Sequence, residues 1–114
     1  RLRDYARFGV FALNGGQIEG KQIVPVGWFE RAGSKQADIG REGFGYGYQW
    51  WTYDDGSFAA QGIFGQGIFI DPNRDLVIAT NGNWPVATSD ELKVQRNAMY
   101  RAVQRTLDAE LLEQ

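Results

Sequence analysis

Between Gly45 and Thr80 the chain is cut by turn signals into short runs of strand-forming residues, and this succession constrains the fold most. Tyr46, Tyr48 and Trp50 alternate with Gly47, Gln49 and Trp51, the period of two expected of one strand with an aromatic face and a mixed face. Asp54-Asp55-Gly56 predicts a hairpin turn, because Asp and Gly accept the backbone angles such turns need. The chain returns from Ser57 to Phe64. A third run, Gly67 to Ile70, stops at Asp71-Pro72-Asn73, a turn built on proline. Leu76 to Thr80 is nearly continuously apolar and reads as a central strand covered on both faces. Neighbouring strands joined by short turns make an antiparallel meander.

Helical periodicity lies on either side. From Leu2 to Leu13, apolar residues at Leu2, Tyr5, Ala6, Gly9, Val10 and Leu13 mark one helix face, and Phe8 and Phe11 widen it toward burial on most sides. Asn14-Gly15-Gly16 ends that helix, and residues 16–23 read as a tight hairpin. A short helix starting near Pro25 carries Val26, Trp28 and Phe29, and the polar stretch from Ala32 to Gly43 reads as a loop. After Trp84-Pro85, Thr88-Ser89-Asp90-Glu91 fits a capping box with Thr88 as the cap. Leu92, Met99, Ala102, Val103, Leu107 and Leu111 then mark the stripe of a helix lying across the sheet. The class is α+β, an antiparallel sheet meander flanked by helices packed on one sheet face.

At 114 residues the chain holds one domain at most. Its first residues, Arg1-Leu2-Arg3-Asp4, read as the middle of an amphipathic helix, so residues 1–114 are expected to be one partial domain of a larger polypeptide. The compartment stays open between cytoplasm and periplasm. With no cysteine and no histidine, disulfide scaffolds, thiol nucleophiles, serine–histidine triads and thiolate or imidazole metal sites are excluded. A net charge of −2 with no basic run argues against a nucleic-acid partner, and the apolar runs are too short to span a membrane.

Asp54, Asp55 and Asp71 are candidate acid–base carboxylates, but each sits where hairpin turns use aspartate anyway. Gly62-Ile63-Phe64-Gly65-Gln66-Gly67 holds three glycines in six residues, yet it lacks the lysine of a phosphate loop and opens no helix. Glycine in a strand also marks close approach by a ligand, and there a backbone N–H can face a developing oxyanion. Tyr46, Tyr48, Trp50, Trp51, Tyr53 and Phe58 read mainly as core, with one or two at the rim of a pocket.

Several segments in order carry a resemblance. They are Arg7-Phe8-Gly9, Gly16 to Gly20, Val24-Pro25 with Trp28, and Tyr46-Gly47-Tyr48-Gln49-Trp50-Trp51. Gly62-Ile63-Phe64-Gly65-Gln66 follows, then Ile70-Asp71-Pro72, Asp75-Leu76-Val77-Ile78-Ala79 and Asn83-Trp84-Pro85. Together they resemble the C-terminal part of serine β-lactamase-like hydrolases, the superfamily of class C β-lactamases, DD-peptidases, 6-aminohexanoate-dimer hydrolases and esterases. The resemblance implies a penicillin-binding transpeptidase-like fold, no cofactor or metal, and a parent that attacks a small-molecule amide or ester through an acyl-enzyme.

The family's Ser-x-x-Lys is absent, since Ala37, Ala60 and Leu92 stand three residues after Ser34, Ser57 and Ser89. None of the five tyrosines has asparagine two residues on, so Tyr-x-Asn is absent too. The chain is therefore expected to begin downstream of both, to be inactive alone, and to need the remainder of the parent chain. The family's Lys-Thr-Gly or His-Thr-Gly triplet falls within residues 60–65, in one of two registers. In the preferred one Ala60-Gln61-Gly62 is the triplet and the Ile63 N–H is the oxyanion donor. In the other, Ile63-Phe64-Gly65 is the triplet and Gln66 supplies the N–H. Neither keeps the cation, which favours an amidase or esterase over a β-lactamase. Gln61, Gly62, Trp50 and Trp51 are the expected substrate-binding residues. The alternative is a non-catalytic module gripping a polymer or peptide on the Tyr/Trp face.

Overall fold

The computed structural model describes residues 1–113; Gln114 lies outside the described residues. The elements run α1 (Leu2–Leu13), β1 (Gln17–Ile18), β2 (Lys21–Gln22), α2 (Trp28–Ala32), β3 (Ala37–Asp38), β4 (Phe44–Tyr46) and β5 (Trp51–Tyr53). They continue through β6 (Phe58–Gln61), β7 (Gly67–Asp71), β8 (Leu76–Thr80) and α3 (Asp90–Leu112). Strands β1 and β2 form a separate hairpin. The other six make one antiparallel sheet in the order β3-β4-β5-β6-β7-β8, so the expected meander is present and longer than the sequence suggested.

The extra strands come from two misread stretches. Residues 45–53 are not one strand but two, β4 and β5, reversed through a tight turn. The Gly47 N–H donates to the Trp50 carbonyl at 2.8 Å, Tyr48 N–H donates to Ala32 O at 3.0 Å, and Gln49 takes a left-handed φ of 66°. A side chain at Gly47 would collide with the carbonyls of Ala32 and Ser34, so this crossing admits only glycine. Within the supposed loop of residues 32–43, β3 pairs with β4 through Ala37 opposite Tyr46. Polar two-residue edge strands carry too little periodicity to announce themselves.

Helices cover both faces of the sheet, not one. On one side α1 and α2 enclose Ala12, Phe29, Ala32, Trp50, Phe58 and Ile70. Gly9 makes this approach possible, since a Cβ there would meet Val77 Cγ1 of β8 at 2.5 Å. Only one stripe of α1 is buried; Leu2, Tyr5, Phe8 and Val10 are exposed, against the expected burial on most sides. Strand β8 is covered from both faces but forms the edge of the sheet rather than its centre. Helix α2 begins at Trp28, three residues later than expected, with Gly27 as its cap.

On the other face Tyr53, Ala59, Phe69 and Tyr100 form a second core, in which the Phe69 and Tyr100 rings stack 4.3 Å apart. Helix α3 is capped by Ser89, whose Oγ accepts from Leu92 N–H at 3.2 Å, one residue beyond the expected Thr88. Its inward stripe also differs from the expected one. Tyr100 and Gln104 are buried, whereas Met99 and Leu111 are exposed. The sheet offers two carboxylates to this helix, so polar side chains can be buried where an apolar pattern would have been sought.

Asp71, fully buried at the end of β7, accepts from Asn73 N–H, Arg74 N–H, the Arg74 guanidinium at 2.9 Å and Gln104 Nε2 at 2.8 Å. Asp55, in the β5–β6 turn, accepts from Ser57 and from Arg101 at 2.6 Å. Arg74 also forks onto Asp108 with two contacts of 2.9 Å. These carboxylates are thus turn and clamp residues, which answers the acid–base alternative for both. No helix among the described residues is long and apolar enough to cross a membrane.

Candidate functional site

Strand β6 runs out at Gln61 into Gly62 and Ile63, and all three line a cleft of about 350 Å³ on the α3 face. Strands β5 and β6 contribute Trp51, Tyr53 and Gln61, the segment before α3 contributes Trp84, Ala87 and Thr88, and α3 contributes Lys93, Arg96 and Asn97. Ile39, Arg41 and Phe44 close the β3–β4 end.

The turn bearing Ile63 is held from behind. Phe64 N–H donates to Ala87 O at 2.8 Å and Phe64 O accepts from Trp84 N–H at 3.3 Å. Gly62 N–H donates across the turn to Gln66 O at 3.0 Å. Phe64 takes a left-handed φ of 60°. Ile63 itself is 59% exposed, and none of the hydrogen bonds among the described residues uses its N–H.

Gln61 is oriented by a relay. Its Nε2 donates to Tyr53 Oη at 2.9 Å, and Tyr53 Oη lies 3.5 Å from Asn97 Oδ1. Burial pushes the Tyr53 hydroxyl above its ordinary pKa, while Arg96 and the Gln61 bond pull against it. Tyr53 is therefore a neutral donor near pH 7.

Four of the five expected site residues, Trp51, Gln61, Gly62 and Ile63, share this cleft. Trp50 does not. It is 8% exposed in the α1–α2 core, stacked on Phe8 at 6.4 Å and edge-on to Phe58 at 5.1 Å. Consecutive tryptophans thus lie on opposite sides of the sheet, as the period of two expects. The expected single aromatic face is accordingly split. Tyr46 packs on Trp51 at 4.8 Å, while Tyr48 packs on Trp28 at 5.8 Å. Gln66 lines a second hollow beside Tyr5 of α1, together with Ala60 and Ile68, and Gln61 and Gly62 line both this hollow and the cleft.

Sequence reasoning missed Tyr53, Trp84, Arg96 and Asn97 as lining residues. Arg96 stands within the expected α3 stripe, between Leu92 and Met99, and was passed over because only apolar residues were read along it, whereas Asn97 lies on the polar side. Trp84 was visible as part of Asn83-Trp84-Pro85 but had no assigned place.

The family described as Beta-lactamase matches residues 2–101. The 6-aminohexanoate-dimer hydrolase of Paenarthrobacter ureafaciens is 33% identical over 118 aligned positions, which cover 94% of this chain and 30% of that protein. A solved Bacillus anthracis structure, provisionally named a 6-aminohexanoate-dimer hydrolase, superposes with a TM-score of 0.78 at 33% identity. It covers 95% of this chain and 29% of its own. The chain thus spans about 30% of the length of the relatives it matches. Sheet order, flanking helices and matched residues agree, and the chain belongs to the Beta-lactamase family.

Proposed function

We propose that residues 1–114 are the C-terminal part of a serine hydrolase that cleaves an amide or ester bond through an acyl-enzyme. In this reading β6 is the oxyanion strand. A serine from elsewhere in the parent chain attacks the carbonyl carbon, and the carbonyl oxygen, now an anion, accepts from the Ile63 N–H. The leaving amine or alcohol departs, and water then releases the acid from the serine. Gln61 and Gly62 flank the reacting group and Trp51 lines the acyl pocket. The observation that carries this reading is that Ile63, a lining residue of the cleft, has an N–H used by no hydrogen bond among the described residues, on a turn fixed by Phe64. The hydrolase named for 6-aminohexanoate dimer, at 33% identity, supports the amide side.

The test is a pair of substitutions in the full-length protein. Gly62 has φ −104° and ψ 168°, which accepts a following proline. Ile63→Ala keeps the N–H and should hold kcat within a few-fold. Ile63→Pro removes the N–H and should lower kcat by about 100-fold or more, as for other lost oxyanion donors. Equal kcat in the two variants, with matching thermal melts, would reject Ile63 as the donor.

A further inference from the structure

Trp84 and Arg96 line two spaces at once, the cleft and a further hollow of about 270 Å³ toward the end of β8. Gly65, Thr80, Gly82, Leu92 and Met99 line that hollow and not the cleft. No other described residue is shared by the two, so these two side chains are the wall between them. The wall is built around the indole. Trp84 N–H donates to Phe64 O at 3.3 Å, and a Cβ placed on Gly65 would come within 2.6 Å of the indole Nε1, so the ring lies directly against that glycine. Gly82 passes equally close, since a Cβ there would collide with the Phe64 carbonyl and the Gly65 main chain. The Arg96 guanidinium carbon stands 5.8 Å from the Trp84 ring centroid. An indole turns about only two side-chain bonds, and glycine main chain against it with a guanidinium over it makes the ring a fixed barrier.

The space behind that barrier suits a hydrocarbon chain. Leu92 and Met99 give it apolar surface, and the Thr80 hydroxyl is already engaged with Gly65 O at 3.3 Å. A chain lying in the cleft gains affinity with each methylene it buries until it meets the indole, and further methylenes then stay in water. The same chain would continue into the hollow if the ring were removed.

We infer that Trp84 is a specificity-determining residue: its indole, backed by Arg96, ends the cleft and limits the length of the substrate arm lying along α3, with the hollow as unused room behind it. The selection of substrates rests on the hydrolase reading above; the limit on what the cleft holds does not.

The experiment titrates the full-length protein by calorimetry with straight-chain primary amides, from propanamide to decanamide. In the unmodified protein Kd should fall about fourfold per added methylene up to one chain length and stay level beyond it. Trp84→Ala should move that break to longer chains, and Trp84→Phe, which keeps a ring over Gly65, should move it less. Leu92→Ala enlarges the hollow behind an intact wall and loosens the same region, and it should leave the break where it was. Turnover is followed in two ester series, one lengthened on the acyl side and one on the alcohol side. In one of them Trp84→Ala should raise kcat/KM of the longest member relative to the shortest by about tenfold or more. Affinity that does not rise with chain length, a break at the same length in both Trp84 variants as in the unmodified protein, or an equal shift in Leu92→Ala overturns the partition. A break that moves while both turnover ratios stay fixed overturns its role in choosing substrates. A break that moves with no turnover of either series would reject the hydrolase reading and leave the partition standing.

Discussion

Gly47 and Tyr100 show how much single residues decide. At Gly47 any Cβ meets the carbonyls of Ala32 and Ser34, which are main chain and cannot rotate away. Gly47→Ala should cost about 2 kcal/mol, in the range of overpacked sites, read as a melting temperature several degrees lower. An unchanged melt would mean that the Ala32–Tyr48 crossing is looser than its 3.0 Å bond indicates. Tyr100 is 1% exposed, and burial pushes its hydroxyl pKa up to about 12. That hydroxyl has no hydrogen-bond partner among the described residues. Tyr100→Phe keeps the stack on Phe69 and removes an unpaired polar atom, so stability should hold or rise by up to about 1 kcal/mol. A loss of that size in chemical denaturation would reveal a partner for the hydroxyl. At this scale the site was partly legible. Gly62 stood out because glycine in a strand marks close approach, and Ile63 followed from the family resemblance, but Arg96 did not, because one arginine on a helix looks like any other until its neighbours are known.

Helix α3 is held at two sheet corners by polar contacts, its Arg101 and Gln104 on Asp55, its Gln104 on Asp71 and its Asp108 on Arg74. Removing Asp71 strands Gln104 and part of Arg74, so Asp71→Ala should destabilise by about 3 kcal/mol, the cost of breaking a buried charged pair. The carboxyl of Asp55 resists burial, which alone would raise its pKa, but Ser57 and Arg101 hold it at about 2. Its folded pKa is therefore below the unfolded value. The stabilisation it supplies is present above about pH 4 and is lost as pH falls toward 2. Melting temperature should drop over that interval, and Asp55→Asn should start lower at neutral pH and fall less steeply. Equal slopes would show that Asp55 does not carry the acid sensitivity. The bounds of α1 and β8 followed from periodicity and turn chemistry, because each is a run of at least five residues with one dominant pattern. The split of residues 45–53 and the rotation of α3 did not. Both depend on partners distant in sequence, Ala32 for the first and the carboxylates of two hairpins for the second.

For the whole molecule, the proposed division of labour predicts catalytic silence. In that proposal the 114 residues supply the oxyanion strand and part of the substrate cleft, and they hold no Ser-x-x-Lys or Tyr-x-Asn. Isolated, they should turn over nitrocefin, p-nitrophenyl esters and linear amides no faster than buffer, because an oxyanion site without its nucleophile retains little of the rate. Turnover by the isolated chain that is abolished by Ile63→Pro would overturn this. By itself the sequence determined the α+β class, the meander, the flanking helices and the family resemblance. Those rest on local periodicity, turn residues and ordered motifs, all of which act over a few residues. Only the tertiary structure decided which strand forms the edge, that helices cover both faces, that Trp51 and not Trp50 reaches the cleft, and that Arg96 lines it. Each of these is set by which distant segments meet, and no pattern read over a few residues records that.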